Sequence, residues 1–214
     1  METEGIHRVG IMGGTFDPVH NGHLILAEHA YEQFHLEKVL FLPNGNPPHK
    51  RAQGDERASQ DARLEMVRLA IQDNPHFELD DEEIHRSGYS YTKDTLKRMS
   101  KVYKDTVFYF IIGADSLMSF DQWCEPAEIC RYCVLAAAVR NQLDKVTMER
   151  QMELLRKKYH ARIVLLETPD LDISSSFLRQ QHAAGKSVRY YLPDTVYDYI
   201  RRSGLYQPTR NNRG

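Results

Sequence analysis

The sequence predicts an α/β protein built around a doubly wound parallel β-sheet. Short apolar segments typical of strands alternate along the chain with longer segments in which apolar residues recur at helical spacing. Several short segments are apolar at every position, as expected for parallel strands covered on both faces. A chain of 214 residues fits a single domain, residues 1–214, with a sizeable core. We expect the stretch from about 167 to 206 to form a small C-terminal helical appendage that closes over one edge of the sheet.

The charge balance and the cysteines limit the classes of protein that fit. The 28 Lys and Arg residues against 30 Asp and Glu give a formal net charge of -2, which argues against a general nucleic-acid binder but leaves a local basic groove open. Cys124, Cys130 and Cys133 lack the paired spacing of a zinc site, and we interpret them as packing residues in a reducing cytosol. The longest apolar run, Val134–Val139, is too short to span a bilayer. We therefore expect a cytoplasmic protein without membrane or nucleic-acid partners.

The first strand, predicted over His7–Met12, runs directly into Gly13–His23, which reads Gly-Gly-Thr-Phe-Asp-Pro-Val-His-Asn-Gly-His. Apolar residues then recur at helical spacing from Leu24, so a helix follows. Adjacent glycines let the backbone turn tightly and let a ligand approach it, and the unpaired amides of a helix N-terminus attract phosphate. His20 and His23 would add donors to an oxygen on which charge develops. The alternative is a turn with two incidental histidines.

The second predicted strand, Lys38–Leu42, ends in a loop rich in proline, Pro43–Lys50. In an open parallel sheet, ligands bind beyond the carboxyl ends of the strands, so this loop lies on the same edge as the glycine turn. Asn44, His49 and Lys50 suit contact with an anionic substrate. A plain surface turn fits the same residues.

The segments from Asp61 onward lead to a helix that begins near the polar residue Thr92. The pattern predicts a helix over Asp61–Gln72, a strand over Phe77–Leu79 and a polar connection over Asp80–Gly88. A helix follows Ser90-Tyr91-Thr92. Thr92 fits either a helix cap or a ligand contact, and the pattern does not separate the two.

The strand predicted over Val107–Ile112 ends in Gly113-Ala114-Asp115-Ser116, so a strand again feeds a glycine turn and a helix start. Asp115 fits an N-cap or a ligand contact at the same carboxyl edge. The sole tryptophan, Trp123, fits burial in the core or a flat platform for an aromatic ring of a substrate.

The last third of the chain continues the alternation. A strand, a helix, a strand and a final helix are predicted over Tyr132–Val139, Asp144–Tyr159, Arg162–Leu166 and Leu192–Ile200. Between the last two lie Ser174, Ser175 and Ser176, with Arg179 following. Serine hydroxyls, free amides and a guanidinium make a phosphate cradle, and a capped surface helix is the alternative.

Two common nucleotide-binding motifs are absent from the sequence. Gly185-Lys186-Ser187 resembles the end of a P-loop, but Gln180 stands where that motif needs its first glycine and no apolar strand precedes it. The first strand is not followed by the Gly-x-Gly-x-x-Gly fingerprint of a dehydrogenase. We reject both classes.

Several separated pieces, taken in order, resemble the bacterial nicotinate-nucleotide adenylyltransferases of the nucleotidylyltransferase superfamily. The similarity runs from Val9 to about Tyr206. The pieces are Gly13–His23, Leu42–Asn44 with Pro47–Lys50, Ser90–Leu96, Ile112–Ser116, Trp123, Ile173–Ser176 with Arg179, and Tyr190–Ile200. The first piece is typical of the whole superfamily, and the others specify the branch.

The resemblance implies a Rossmann-like nucleotidylyltransferase fold and a reaction in NAD biosynthesis. ATP and nicotinate mononucleotide would give nicotinate adenine dinucleotide and pyrophosphate, with Mg²⁺ held mainly by the phosphates and not by protein ligands. The residues that it implies for catalysis are His20, His23 and Arg179. Those that it implies for ATP are Gly13, Gly14, Thr15, Phe16, His20, His23, Asp115, Ser174, Ser175 and Arg179. Those that it implies for the mononucleotide are Asn44, His49, Lys50, Thr92 and Trp123.

Other functions remain open at this point. Preference for nicotinamide mononucleotide would keep the chemistry and change the acceptor. Phosphopantetheine adenylyltransferase is a further alternative, against which the chain length and Trp123 argue. A silent nucleotide-binding regulator is a third, against which the intact His20, His23 and Arg179 argue. A homodimer is plausible.

Overall fold

The computed structural model describes residues 6–45, 58–86, 88–139, 142–169 and 171–207. Within these ranges a six-stranded, fully parallel sheet runs in the order β3-β2-β1-β4-β5-β6. Its strands are β1 (His7–Gly14), β2 (Lys38–Pro43), β3 (Phe77–Leu79), β4 (Thr106–Ile112), β5 (Cys133–Val139) and β6 (Arg162–Glu167). The predicted doubly wound α/β class is confirmed.

Helices connect the strands and cover both faces of the sheet. They are α1 (Asn21–Phe34), α2 (Gln60–Ile71), α3 (Glu82–His85), α4 (Thr92–Val102), α5 (Ala114–Met118), α6 (Pro126–Tyr132), α7 (Gln142–Tyr159), α8 (Ser175–Ala183) and α9 (Asp194–Arg202). The short α3 lies inside the stretch predicted as a polar connection, which was wrong there because a single turn is too short to show helical periodicity. The sequence predicts that β5 begins at Tyr132, but in the structure Tyr132 is the last residue of α6 and β5 begins at Cys133.

The central strands contain continuous apolar runs because alternate residues enter different cores. On β2, Val39 and Phe41 join one buried cluster, beneath α1, α2, α8 and α9. Leu40 and Leu42 join the other, beneath α4, α5, α6 and α7. Side chains of a strand alternate between the two faces of its sheet, so a strand buried on both sides reads as continuously apolar.

The C-terminal helices share the first core. Leu178 of α8 and Val196 and Ile200 of α9 are buried in the same cluster as Val67 of α2. That the segment from about 167 to 206 closes the site stays a prediction. In the part of the chain that the structure describes, no helix combines the length and apolarity needed to cross a bilayer.

The cysteines follow their predicted packing role in two of three cases. Cys130 and Cys133 are buried in the second core, whereas Cys124 is half-buried. Burial raises the pKa of the Cys130 thiol to about 11, so this group stays protonated and inert at neutral pH.

The site is positioned where the winding of the sheet reverses. β1 and β4 are neighbours in the middle of the sheet, with Met12 opposite Ile111. The chain leaves β1 toward β2 on one side and leaves β4 toward β5 on the other. A crevice therefore opens at the carboxyl ends of these two strands, which is where open α/β sheets bind ligands.

Candidate active site

Two adjoining cavities occupy this crevice. The larger, about 280 Å³, is lined by His20 and His23 at the start of α1, by Asp115 and by Ser174 and Ser175. The smaller, about 60 Å³, lies toward β2 and α4 and is lined among others by Asn44 and Thr92. Gly13, Phe110 and Trp123 line both, so the cavities share a wall.

The two histidines are held against each other at the start of α1. His20 is buried and precedes the first helical residue, and its ring stacks on that of His23 with the centroids 3.7 Å apart. The His20 backbone N–H donates to Nδ1 of His23 over 3.2 Å. A ring nitrogen that accepts a hydrogen bond carries no proton, so the neutral His23 ring has its proton on Nε2.

Gly22 is required by the position of the His20 ring. A Cβ atom at this residue would lie 3.0 Å from Nδ1 of His20 and 3.2 Å from its Cε1. Both separations are shorter than ordinary van der Waals contact. The glycine between the two histidines therefore makes room for the buried ring.

The β1–α1 turn, which we define as Thr15–His20, is tied into the protein beneath the cavities. The Phe16 ring is buried and meets the edge of His23 at 5.0 Å, so it supports that histidine from the core. The Gly14 carbonyl accepts from the Asn44 N–H over 2.8 Å. The contacts that the structure gives for Gly14 and Phe16 are thus supporting contacts, while Gly13 lines both cavities.

The N-terminus of α8 lines the large cavity together with the two histidines. Ser174 caps the helix by accepting from the Phe177 N–H over 3.2 Å, which confirms that one of the serines is a cap. The Ser175 hydroxyl donates to the Pro18 carbonyl over 2.9 Å. Capping does not exclude a ligand role, because both serines also line the cavity.

Arg179 lies one turn into α8 and reaches under the β1–α1 turn. Its Nη1 donates to the Asp17 backbone carbonyl over 2.7 Å, and the side chain is largely buried. The sequence predicts this guanidinium on a phosphate group. In the structure its described contact is with the turn that carries His20.

The smaller cavity brings together Thr92, Trp123 and Asn44. Helix α4 begins at Thr92, and the residue in the cap position is Tyr91, so the helix-cap alternative for Thr92 is wrong. The Trp123 ring packs at 5.3 Å on Phe120, yet it also lines both cavities. The ring therefore packs on the core, and its role as a platform for a substrate ring stays a prediction.

Asp115 is the second residue of α5, whose cap position is occupied by Gly113, so the N-cap alternative for Asp115 is also wrong. Its side chain lies in the wall of the large cavity. His49 and Lys50 lie outside the described residues.

Sequence reasoning missed two charged residues near the cavities, Arg63 and Glu83. Arg63 holds the loops that follow β1 and β2. The Arg63 guanidinium is buried and donates to the Thr15 carbonyl over 2.7 Å and to the Asn44 carbonyl over 2.8 Å. It therefore joins the loops after β1 and β2. A signal was present, because Arg63 lies four residues before Val67 and so shares the apolar face of α2.

Glu83 of α3 is the second missed residue, and it lines the smaller cavity. Its Oε1 accepts from the Thr95 hydroxyl over 2.5 Å. Burial raises the pKa of the Glu83 carboxyl above its ordinary value, while the Thr95 hydrogen bond opposes the rise. The cavity thus contains a carboxyl group that holds its proton more strongly than an exposed glutamate.

The donor set suits phosphate oxygens. Imidazole N–H, serine hydroxyls and helix N-terminal amides donate hydrogen bonds to anions. Across the described ranges, no group of three or more His, Cys, Asp or Glu side chains could hold a metal ion. Asp115 is the one acidic residue among the described residues that line the larger cavity.

Comparisons with known proteins show the family to which the chain is similar. Residues 11–181 match the model of the cytidylyltransferase-like family. A protein of Lachnoclostridium phytofermentans named probable nicotinate-nucleotide adenylyltransferase is 45% identical over 201 residues, which cover 94% of this chain and 100% of the relative. A Synechococcus protein of the same name is 44% identical over 199 residues, covering 93% of this chain and 94% of the relative.

Solved structures support the fold. Nicotinic acid mononucleotide adenylyltransferase of Plasmodium falciparum, complexed with NaAD, is similar with a TM-score of 0.77 at 20% identity, over 94% of this chain and 97% of that one. The same protein complexed with APC gives a TM-score of 0.74 at 19% identity, over the same shares of the two chains.

Proposed function

The chain belongs to the cytidylyltransferase-like family and to its nicotinate-nucleotide adenylyltransferases, and we propose that its two cavities bind ATP and nicotinate mononucleotide side by side. The protein is an enzyme of NAD biosynthesis. It transfers the adenylyl group of ATP to nicotinate mononucleotide and forms nicotinate adenine dinucleotide and pyrophosphate.

The shared wall of the two cavities is the observation that carries this proposal. Gly13 and Trp123 line both cavities. The larger cavity is also lined by His20 and His23, and the smaller one by polar residues such as Asn44 and Thr92. Two substrates bound on either side of this wall would meet there through their phosphates. The geometry therefore supports a reaction between two phosphate esters.

The chemistry needs no covalent intermediate with the protein. The phosphate of the mononucleotide is ionised at neutral pH and is itself a nucleophile. One of its oxygens attacks the α-phosphorus of ATP in line and forms a new P–O bond. The bond from the α-phosphorus to the α,β-bridging oxygen breaks, and that oxygen leaves as a terminal oxygen of pyrophosphate. The protein has to align the two reactants and stabilise the negative charge on the transferring group.

His20 and His23 are the groups that we assign to this charge. We place His20 nearer the α-phosphate and His23 beside it. Their stacking supports the assignment, because it holds both rings before any substrate arrives. In the same cavity, the capped N-terminus of α8 with Ser174 and Ser175 would receive the β- and γ-phosphates.

Three further assignments complete the nucleotide side. Gly13 and the backbone of Gly14–Phe16 would line the nucleotide, and Asp115 would contact the ribose. Arg179 would face the β- and γ-phosphates from beneath the β1–α1 turn. Mg²⁺ bound to the triphosphate would neutralise charge and orient the leaving group, and the donor set of the cavity fits such a cation carried by its phosphates.

The smaller cavity is proposed for the mononucleotide. Trp123 would stack on the pyridine ring, and Thr92 and Asn44 would hydrogen-bond to its substituents and phosphate. His49 and Lys50 would approach the same phosphate.

We further propose that the protein works in the cytoplasm, without nucleic-acid partners, and that it forms a homodimer that size-exclusion chromatography with light scattering would detect.

The test is pyrophosphate release from ATP and Mg²⁺ with three acceptors in parallel. We expect strong release with nicotinate mononucleotide and weak release with nicotinamide mononucleotide or phosphopantetheine. Equal or stronger release with the nicotinamide form would change the acceptor and keep the chemistry. Release with phosphopantetheine alone, or with none of the three, would contradict the proposal.

A further inference from the structure

Tyr206, near the end of the described chain, contacts Asp17 of the β1–α1 turn, and neither residue has been given a role so far. The Tyr206 hydroxyl donates to Oδ1 of Asp17 over 2.5 Å, and the two residues are 189 positions apart in the sequence. The Ala58 N–H donates to the same carboxylate oxygen over 3.2 Å. Asp17 is 3% exposed and Tyr206 is 8% exposed, so the contact is shielded from water.

The same aspartate is also the anchor of Arg179. Nη1 of Arg179 donates to the Asp17 backbone carbonyl over 2.7 Å and lies 4.0 Å from its carboxylate Oδ2. One continuous set of polar contacts therefore links Tyr206 to Arg179. It runs from the Tyr206 hydroxyl to the Asp17 carboxylate, and from the Asp17 backbone carbonyl to the Arg179 guanidinium. It passes directly beneath the turn that leads to His20.

Tyr206 is suited to act as a permanent donor in this set. Burial and the neighbouring Asp17 carboxylate raise the pKa of the Tyr206 hydroxyl far above its ordinary value, so it keeps its proton across the physiological range. Its backbone has φ of 58°, in the left-handed region that tyrosine rarely adopts. Such a conformation persists where surrounding contacts hold it.

We propose that Tyr206 is a positioning residue for the nucleotide side of the active site, acting through Asp17 on Arg179 and on the β1–α1 turn. The inference rests on the proposed function. It adds the segment after α9 to the machinery that binds ATP. Tyr206, Asp17 and Arg179 line neither cavity, but the β1–α1 turn that contains Asp17 ends at His20, which lines the larger cavity and not the smaller one.

A purely structural role would have different consequences. If Tyr206 only anchored the end of the chain, its loss would lower stability without discriminating between the two substrates. If it positions Arg179, its loss would weaken the ATP site selectively, and the effect would depend on Arg179. The experiment therefore compares the two substrates and the two residues.

The variant is Tyr206→Phe, which keeps the buried ring and removes the hydroxyl. Tyr199→Phe is the matched control, since this half-buried tyrosine of α9 packs on the same core. We expect Tyr206→Phe to raise the KM for ATP roughly tenfold, as expected for a lost hydrogen bond to a charged group, and to leave the KM for nicotinate mononucleotide unchanged. The control should change neither.

A double-mutant cycle tests the route through Arg179. In an Arg179→Lys background, Tyr206→Phe should raise the KM for ATP less than twofold further, because the interaction that it supports is already lost. Full additivity of the two effects would overturn the proposal. An equal rise in both KM values, or no change in either in a folded variant, would also overturn it.

Binding measured without the acceptor separates this inference from the proposed function. Calorimetric titration with α,β-methylene-ATP and Mg²⁺ should show the same tenfold weakening in Tyr206→Phe. If wild-type protein binds this nucleotide but releases no pyrophosphate, the proposed function fails and the titration still decides the role of Tyr206. If Tyr206→Phe does not fold, Asp17→Asn keeps the size and one acceptor oxygen of the side chain, and it should weaken nucleotide binding in the same selective way.

Discussion

Gly22→Ala should make the protein less active without making it less stable. The new Cβ atom would lie 3.0 Å from Nδ1 of His20, where ordinary contact begins at 3.4 Å. The ring therefore has to move by about 0.4 Å or more. Because a misplacement of 1 Å in a catalytic arrangement can cost ~10²-fold in rate, we expect kcat to fall about tenfold.

Stability should change in the opposite direction. Gly22 is the second residue of α1, and alanine favours a helix over glycine by up to ~1 kcal/mol. The gain offsets the local crowding, so the free energy of unfolding should be equal to or slightly above that of the wild type. Urea denaturation measures this term, and pyrophosphate release at saturating substrates measures kcat.

The control is Glu32→Ala, at an exposed position in the last turn of the same helix, which should leave kcat unchanged. A folded Gly22→Ala protein with wild-type kcat would refute the reasoning, since His20 would then tolerate displacement. A large loss of stability would refute it as well, because the crowding would have reached the helix and not only the ring.

Three further predictions concern single side chains of the site. His20→Ala should lower kcat by ~10²–10³-fold with the circular dichroism spectrum unchanged, since it removes a donor to developing charge, and near-normal turnover would show that His20 is not such a donor. Trp123→Ala should raise the KM for nicotinate mononucleotide about tenfold, as expected for the loss of about 1–3 kcal/mol of stacking, and a selective rise in the KM for ATP would mean that the ring serves the other cavity. Because burial raises the pKa of Glu83, its protonated form favours the folded state at low pH, and that stabilisation is lost as the pH rises above the ordinary value of 4.5. Glu83→Gln should therefore gain stability relative to the wild type as the pH rises above 4.5 in urea titrations, and a relative loss over that rise would reverse the assigned sign.

The sequence was informative where local patterns carry the structure. The run Val107–Ile112 within β4 is continuously apolar because both faces of the sheet are covered, and that pattern is visible without any long-range contact. The glycine turn and its two histidines were predictable for the same reason, because strand, turn and helix start follow one another directly.

The missed features depend on contacts that no local pattern contains. Glu83 lies on a single helical turn, Glu82–His85, which is too short to show periodicity. Tyr206 looks like a surface tyrosine in sequence, and its partner is 189 residues away. Arg63 carried a signal, a charge on an apolar helix face, but its two carbonyl partners emerge only when the loops after β1 and β2 meet.

The contribution of α8 to the wall of the large cavity has a consequence for protein synthesis. Ser175 donates to the carbonyl of Pro18 across 157 residues of sequence. At typical translation rates of 5–20 residues per second, the β1–α1 turn waits about 10–30 s on the ribosome before this partner is made. A chain that terminates early therefore carries both histidines but lacks the part of the cavity wall that α8 supplies. Truncated products can contain much of the sheet and still lack Ser174 and Ser175 of the cavity wall, so we expect finished chains to bind ATP more tightly than truncated ones.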